Sequence, residues 1–323
     1  MSVESPKDRP RYADLPDGCA WGVLDPALGS LALLTPERVA AAARLVRTGR
    51  RFSLDLPIDL PDPPFFGREP VQHTVFDFSD HILDDRLDNY FPQGSTQWDA
   101  FSHFAHTDRG FFGGHDKAAI RASGVLGIDA WHPAGVVGRG VLLDVARHIE
   151  IAPDSPFLVT PELLDETATA QGVDVCIGDI VCVRVGWLGW YLSLDQQARE
   201  TMAERSRTFE AFAVPGVGPG TATAEWLWDH GAAALAVDNP AVEPIPPSVG
   251  SEQLTADDTP FTADEMVHVK VLTMLGIPLG EFFDFEALAA DCASDSVYEF
   301  LFTSAPLGIP GGIGSPPNAL AIK

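Results

Sequence analysis

Two kinds of hydrophobic pattern alternate along the chain. Short runs rich in Val, Ile and Leu are typical of buried strands, whereas apolar residues spaced three or four apart are typical of amphipathic helices. A Thr-Pro-Glu sequence at residues 35–37 and again at 160–162 marks helix starts, because Thr caps a helix and Pro fits its first turn. The predicted strands are residues 138–145, 180–185, 232–237, 298–303 and 319–322, and the predicted helices are 36–49, 161–172, 222–230, 262–275 and 285–290.

This interleaving predicts the α/β or α+β class with a mixed sheet. The prolines of residues 51–68 exclude a helix there, so we expect an extended strand followed by a surface loop. Residues 1–20 are polar and irregular, which is typical of a terminal arm. No internal repeat and no linker divides the rest. We therefore expect a single domain over residues 1–323 with an irregular arm at about 1–20.

The net charge of the chain excludes some classes of binding partner. The 323 residues include 46 Asp and Glu against 21 Lys and Arg, for a net charge of −25. This excess repels phosphate backbones and anionic lipid surfaces, so we expect neither nucleic acid nor membrane as a partner. The polar N-terminus and the lack of a long apolar run predict a cytoplasmic protein. The cysteines lack metal-site spacing, and Cys176 and Cys182 are predicted to be small core residues.

Two groups of polar residues could carry chemistry. Asp99 and His103 lie four residues apart, so on a helical turn they would share a face and could bind a metal or act as a base with its orienting partner. The alternative is a helix cap beside a surface histidine. Farther along, His268 lies in the predicted helix 262–275, where it could equally be a core histidine. Glu281 follows an apolar segment, and a carboxylate buried there needs a partner or a metal.

Other catalytic motifs are missing from the sequence. None of the glycine-rich stretches continues into the Gly-Lys-Ser/Thr of a phosphate loop, and none stands in the βαβ context of a dinucleotide fold. The sequence also lacks the G-x-S-x-G motif of α/β-hydrolases. Nucleotide binding of these kinds and serine hydrolysis are therefore not indicated.

These residues, in this order, resemble the cyclase family of metal-dependent hydrolases, which includes bacterial kynurenine formamidase and isatin hydrolase. The family signature is H-x-G-T-H-x-D with a further His four residues later. Here the same frame reads Q-G-S-T-Q-W-D over residues 93–99, followed by His103. The resemblance continues through GRGVLLD at 138–144, RVGW at 184–187, DNPAVE at 238–243 and GGIGSP at 311–316.

The resemblance implies a site for a divalent metal. It assigns Asp99, His268 and Glu281 as ligands and His103 as the catalytic histidine. Gln93 and Gln97 stand where the family has two histidine ligands. An amide oxygen is a harder and weaker ligand than imidazole, so a retained metal is expected to be Mn²⁺ rather than Zn²⁺. The alternative is that the metal is lost and His103 works with Asp99 or Glu281 as an acid–base pair.

The resemblance also implies a swivelling β/β/α fold, a homodimer, and hydrolysis of an amide, cyclic amide or lactone in a small aromatic substrate. A metal-activated water would attack, with His103 as proton shuttle and Asp99 as a further catalytic residue. Trp98, Phe101, Phe104 and His106 are the candidate substrate-binding residues. Two alternatives remain: a metal-independent lyase or cyclase that uses the same pocket, and an inactive homologue that binds a small molecule.

Overall fold

The apolar runs in the middle of the chain form the parallel centre of a sheet. The computed structural model describes residues 9–209, 211–246 and 263–323. Its strands are β1 (Arg51–Ser53), β2 (Gln72–Ser79), β3 (Ile82–Asp88), β4 (Gln97–Asp99), β5 (Val136–Asp144), β6 (Leu158–Val159), β7 (Ile180–Arg184), β8 (Gly216–Val217), β9 (Ala234–Val237), β10 (Leu279–Glu281), β11 (Glu299–Ser304), β12 (Gly314–Ser315) and β13 (Leu320–Ile322).

Helices cover the sheet and supply its crossovers. The α-helices are α1 (Pro36–Ala42), α2 (Lys117–Ser123), α3 (Val145–His148), α4 (Pro161–Gln171), α5 (Trp187–Ser193), α6 (Gln196–Thr208), α7 (Thr221–His230) and α8 (Glu286–Asp295), and a π-helix spans His268–Leu275. Thr35 and Thr160 cap α1 and α4 as predicted, because each side chain accepts a backbone N–H of the first turn. Left-handed glycines end α4 and α7 at Gly172 and Gly231.

Within the described residues, nine strands form one mixed sheet in the order β1-β13-β11-β5-β7-β9-β10-β4-β12. β5, β7, β9 and β10 run parallel, and the flanking strands pair antiparallel. The parallel strands are buried on both faces, which explains why their sequences are continuous apolar runs rather than alternating ones. The mixed α/β class predicted from the sequence is confirmed.

Two smaller pairs lie outside this sheet. β2 and β3 form an antiparallel hairpin whose residues are all exposed, and β6 pairs with β8. The hairpin was not predicted, and neither were α5 and α6. No helix in the described ranges is both long and apolar enough to cross a bilayer.

Several predicted boundaries are wrong. The first helix was predicted to reach Gly49, but its α-helical part ends at Ala42 and a 3₁₀ turn follows. Val46 then has an extended backbone, which ends the helix. The helix predicted at 262–275 is a π-helix that begins at His268, after a 3₁₀ turn at Ala263–Glu265, while residue 262 lies outside the described ranges. Cys182 is a core residue as predicted, but Cys176 is exposed.

Candidate functional site

Three polar side chains project from one face of the sheet where β4 pairs with β10. Gln97 lies directly opposite Glu281 in this antiparallel pair, and Asp99 follows two residues later. Because alternate residues of a strand share a face, Gln97, Asp99 and Glu281 point to the same side and Trp98 points to the other. Asp99 and His103 therefore approach each other through a strand and the turn that follows it, not through the helical turn that their spacing suggested.

His268, the first residue of the π-helix, meets these side chains. Its Nε2 lies 3.5 Å from Oδ2 of Asp99 and 3.2 Å from Oε1 of Glu281. Its other ring nitrogen, Nδ1, lies 2.9 Å from Oε2 of Glu243. With Nδ1–H donating to Glu243, the tautomer is fixed and Nε2 is presented to the two acids. The π-helix thus carries a site residue at its first position, as π-helical turns often do.

Asp99 is the most unusual residue of the group. Its side chain is 0% exposed, and neither carboxylate oxygen has a hydrogen-bond partner among the described residues. Gln97 is equally buried. Its Nε2 donates to Glu281 Oε2, but its Oε1 is also without a described hydrogen-bond partner. Buried acceptors without donors are costly, so this face of the sheet is arranged for a positively charged group.

His103 lies at the more accessible side of the group. Its Nε2 is 3.8 Å from Oδ1 of Asp99, and its side chain is 22% exposed, against 4% for His268. The Phe104 ring contacts both imidazoles, edge-on to His103 at a centroid distance of 5.0 Å and tilted against His268 at 4.4 Å. His103 is therefore the histidine that a small molecule can reach from outside.

Burial and charge divide the roles of the two histidines. Burial lowers the pKa of His103, and the Asp99 charge offsets only part of this effect. Burial also opposes protonation of His268, but the charge of Glu243 and the close carboxylates of Asp99, Glu243 and Glu281 raise its pKa well above the ordinary value. In the absence of a metal, His103 is neutral at pH 7 and can accept a proton, whereas His268 carries one.

The two sheet carboxylates behave differently. Burial, reinforced by the neighbouring Asp99 charge, raises the pKa of Glu281 to about 7. Burial also acts against ionisation of Asp99, but the positive charges of His103, His268 and Arg68 outweigh it and hold the pKa of Asp99 below its ordinary value. Asp99 is thus the permanent negative charge of the site, and Glu281 is the carboxylate that exchanges a proton near neutrality.

These side chains fit a divalent cation. Nitrogen or oxygen atoms of Asp99, His103 and His268 all lie within 4.8 Å of one another. Glu281 adds a carboxylate within 3.2 Å of His268 Nε2. A cation there would give the unpartnered Asp99 and Gln97 oxygens an electrostatic partner, and it would take the place of the proton on His268 Nε2.

The other predicted site residues lie in different places. Gln93 lies in a short turn, and its amide is packed over Gly314, a residue opposite Asp99 in the β4–β12 pair. His106 lies farther along the loop, where its Nδ1 accepts the backbone N–H of Asp108 at 3.1 Å and lies 3.6 Å from Oδ1 of Asp264. Neither residue makes a described hydrogen bond to Asp99 or His268.

Trp98 and Phe101 were expected to line the substrate pocket, but they are core residues. The Trp98 side chain is on the opposite face of β4 from Asp99, fully buried, with its ring centroid 5.0 Å from that of Phe283. The Phe101 ring packs between Phe112 and Trp131, at 4.7 and 5.2 Å. Among the aromatic side chains predicted to bind substrate, Phe104 is the one whose ring contacts the two histidines.

Sequence reasoning missed two residues of this site. Glu243 is 1% exposed and orients His268. Its apolar sequence neighbours Val242 and Pro244 indicate a buried acid, which is the same pattern that identified Glu281 as a candidate. Arg68 contributes positive charge to Asp99, His103 and Glu281. It lies in a proline-rich loop about thirty residues earlier in the sequence, and no local pattern indicated its position.

Comparison with known proteins gives one family. Residues 53–244, more than half of the chain, match the Cyclase family model, described as "Putative cyclase". A solved structure described as a novel cyclase is 33% identical, with a TM-score of 0.79 over 94% of this chain and 99% of that chain. No curated protein matches the sequence.

Isatin hydrolases share the fold at greater distance. Isatin hydrolase A from Labrenzia aggregata, bound to benzyl benzoate, is 17% identical with a TM-score of 0.55, covering 84% of this chain and 93% of that chain. Isatin hydrolase A from Ralstonia solanacearum is 16% identical with a TM-score of 0.55, covering 89% and 97%. The mixed α/β fold described above is therefore the fold of these proteins.

The contact between Glu243 and His268 yields the first testable prediction. In Glu243→Gln the acceptor shape is kept but the negative charge is removed, so the pKa of His268 should fall in metal-free protein. The measurement is an NMR pH titration of the imidazole resonances in the presence of a chelator. An unchanged His268 titration in a correctly folded variant would show that Glu243 does not control this histidine.

Proposed function

Because the chain belongs to the cyclase family, we propose that it is a metal-dependent hydrolase whose active site is the group formed by Asp99, His268, Glu281 and His103. One observation carries the proposal. Both carboxylate oxygens of Asp99 are buried without a described hydrogen-bond partner, beside the Nε2 of His268. A carboxylate at 0% exposure, whose described ion-pair partners are the two histidine nitrogens at 3.5 and 3.8 Å, is expensive to keep ionised unless a further cation binds it.

Asp99, His268 and Glu281 are the residues that would hold the metal. Gln97 Oε1 is a further oxygen within the same buried face. Glu243 keeps His268 Nε2 directed at the site, which is the usual role of a carboxylate behind a histidine ligand. Three oxygen donors and one imidazole suit Mn²⁺ as well as Zn²⁺, and we propose Mn²⁺ because both Gln97 and the carboxylates are hard ligands. A bound divalent ion lowers the pKa of water and polarises a carbonyl group.

His103 is the proposed proton carrier. Its depressed pKa leaves Nε2 free to accept a proton at neutral pH, and its partial exposure lets a substrate approach that atom. The ionised Asp99, 3.8 Å away, stabilises the imidazolium that forms. His103 can then deliver this proton to the leaving nitrogen or oxygen, so the same residue serves as base and then as acid.

The proposed reaction is the opening of an amide, cyclic amide or lactone bond in a small substrate. The Phe104 ring, which contacts both histidines, is the proposed surface against which a planar substrate packs. Similarity to isatin hydrolases, whose name denotes action on a cyclic amide, supports this bond type. The remaining alternatives, a metal-independent lyase and an inactive binder, are separated from hydrolysis by the products formed.

Metal content tests the ligand assignment. We expect about one equivalent of divalent ion per chain after expression in medium with Mn²⁺ and Zn²⁺, and a loss of most of it in Asp99→Asn, which removes the charge but keeps the shape. Elemental analysis by mass spectrometry measures both proteins. Asp129→Asn, outside the site, is the matched control and should retain the ion. A wild-type protein without stoichiometric metal would refute the metal site.

Turnover tests the role of His103. Incubation with a panel of formamides, lactones and cyclic amides that includes isatin should yield a product heavier by one water, detected by mass spectrometry. His103→Ala should slow this reaction about 10²–10⁴-fold, because the proton transfer is lost, while thermal unfolding stays near the wild-type value. The matched control is His148→Ala, an exposed histidine on α3. Unchanged turnover in His103→Ala would contradict its role, and a product without added water would favour the lyase.

A further inference from the structure

A rigid turn presents Arg68 to the candidate site. Phe65, three residues earlier, is 1% exposed, and its ring packs edge-on against Trp187 and Tyr191 at 5.9 and 5.5 Å. This burial anchors the loop to the core on the side where Phe282 follows Glu281, since the Phe65 and Phe282 rings are 6.1 Å apart. The loop is proline-rich, but the buried Phe65 ring fixes its position against the core at this point.

The two residues between this anchor and Arg68 hold a demanding backbone conformation. Phe66 and Gly67 both have positive φ angles, 60° and 73°. Phe66 is an outlier for a bulky residue, and such conformations persist only where the surroundings fix them. Ser206 Oγ accepts the Phe66 N–H at 2.9 Å, and the Phe209 ring stacks on Phe66 at 5.9 Å. These contacts determine where the next side chain points.

The Arg68 guanidinium lies over the Phe66 ring, with Cζ 5.3 Å from the ring centroid. Burial lowers the pKa of Arg68, and the charges of Glu281 and Asp99 act in the opposite direction, so the guanidinium lies within electrostatic range of these carboxylates. Among the described residues, however, no carboxylate oxygen lies within the 4.0 Å of an ion pair, and the side chain donates no hydrogen bond. Arg68 is thus a partly buried cation whose guanidinium N–H groups have no protein acceptor among the described residues.

We propose that Arg68 is the specificity-determining residue of the site and binds a carboxylate group of the substrate. This inference rests on the proposed function, because it places the substrate between Arg68 and the Asp99–His268–Glu281 group. Once a divalent ion balances the two acids, the guanidinium has no counter-charge, and an anionic substrate supplies it. A planar guanidinium positioned by an aromatic ring can bind a carboxylate through two parallel hydrogen bonds.

This chemistry selects for acidic substrates in a protein of strong negative charge. With a net charge of −25, the surface as a whole repels anions, so binding an anionic substrate requires a local cation. A neutral substrate would leave the five N–H groups of the guanidinium without acceptors when it closed the site to water. Arg68 is therefore expected to separate carboxylate ligands from neutral ones of the same shape.

Benzoate and benzamide test this selectivity, because they share a ring and a planar head group but differ in charge. Their affinities for the protein are measured by ligand-observed NMR titration in buffer with Mn²⁺ and in buffer with EDTA. We expect the wild type to prefer benzoate, and Arg68→Gln to weaken benzoate binding about tenfold in at least one buffer while benzamide binding stays the same. Arg86→Gln, on the exposed hairpin, is the matched control and should bind both as the wild type does.

The proposal is overturned if Arg68→Gln binds benzoate as tightly as the wild type in both buffers, or if the wild type shows no preference for benzoate in either. The EDTA arm needs no metal, so these outcomes are distinct from failure of the metal site. If the wild type holds no stoichiometric metal but prefers benzoate, and Arg68→Gln loses this preference, the metal-dependent hydrolase is refuted and the carboxylate site is supported.

Discussion

The site depends on one buried contact, the hydrogen bond from His268 Nδ1 to Glu243. This contact fixes which ring nitrogen of His268 faces the sheet, and it compensates the charge that the histidine gains there. It also joins two separate parts of the chain, because Glu243 follows β9 and His268 begins the π-helix. Without it, the Asp99 carboxylate would face an imidazole of undefined tautomer.

The sheet and the π-helix bring several carboxylates close together, although their negative charges repel one another. Glu243, Asp99 and Glu281 are nearly fully buried, and among the described residues their negative charges are opposed by His268, by Arg68 and, when it is protonated, by His103. Such an arrangement is a poor way to stabilise a fold, because ionised groups lose hydration that their partners only partly replace. This cost is consistent with a binding role, because it would favour the divalent cation and the anionic substrate that we propose for this site.

Much of the fold and part of the site could be predicted from the sequence. Continuous apolar runs identified three of the four parallel strands, β5, β7 and β9, and Thr-Pro-Glu caps located α1 and α4, because these signals are local. The resemblance along the sequence grouped Asp99, His103, His268 and Glu281, whose side chains lie close together in the structure, and their roles stay predictions. Arg68 and the core positions of Trp98 and Phe101 could not be found in this way, since they depend on strand register and on a turn packed by distant aromatic rings.

The most direct test of the central claim is the anomalous diffraction of crystals grown with Mn²⁺. A single strong peak within bonding distance of an Asp99 oxygen, His268 Nε2 and a Glu281 oxygen is the predicted result, with Glu243 still bound to His268 Nδ1. A well-ordered site without a peak, or a peak held by residues other than these three, would contradict the account.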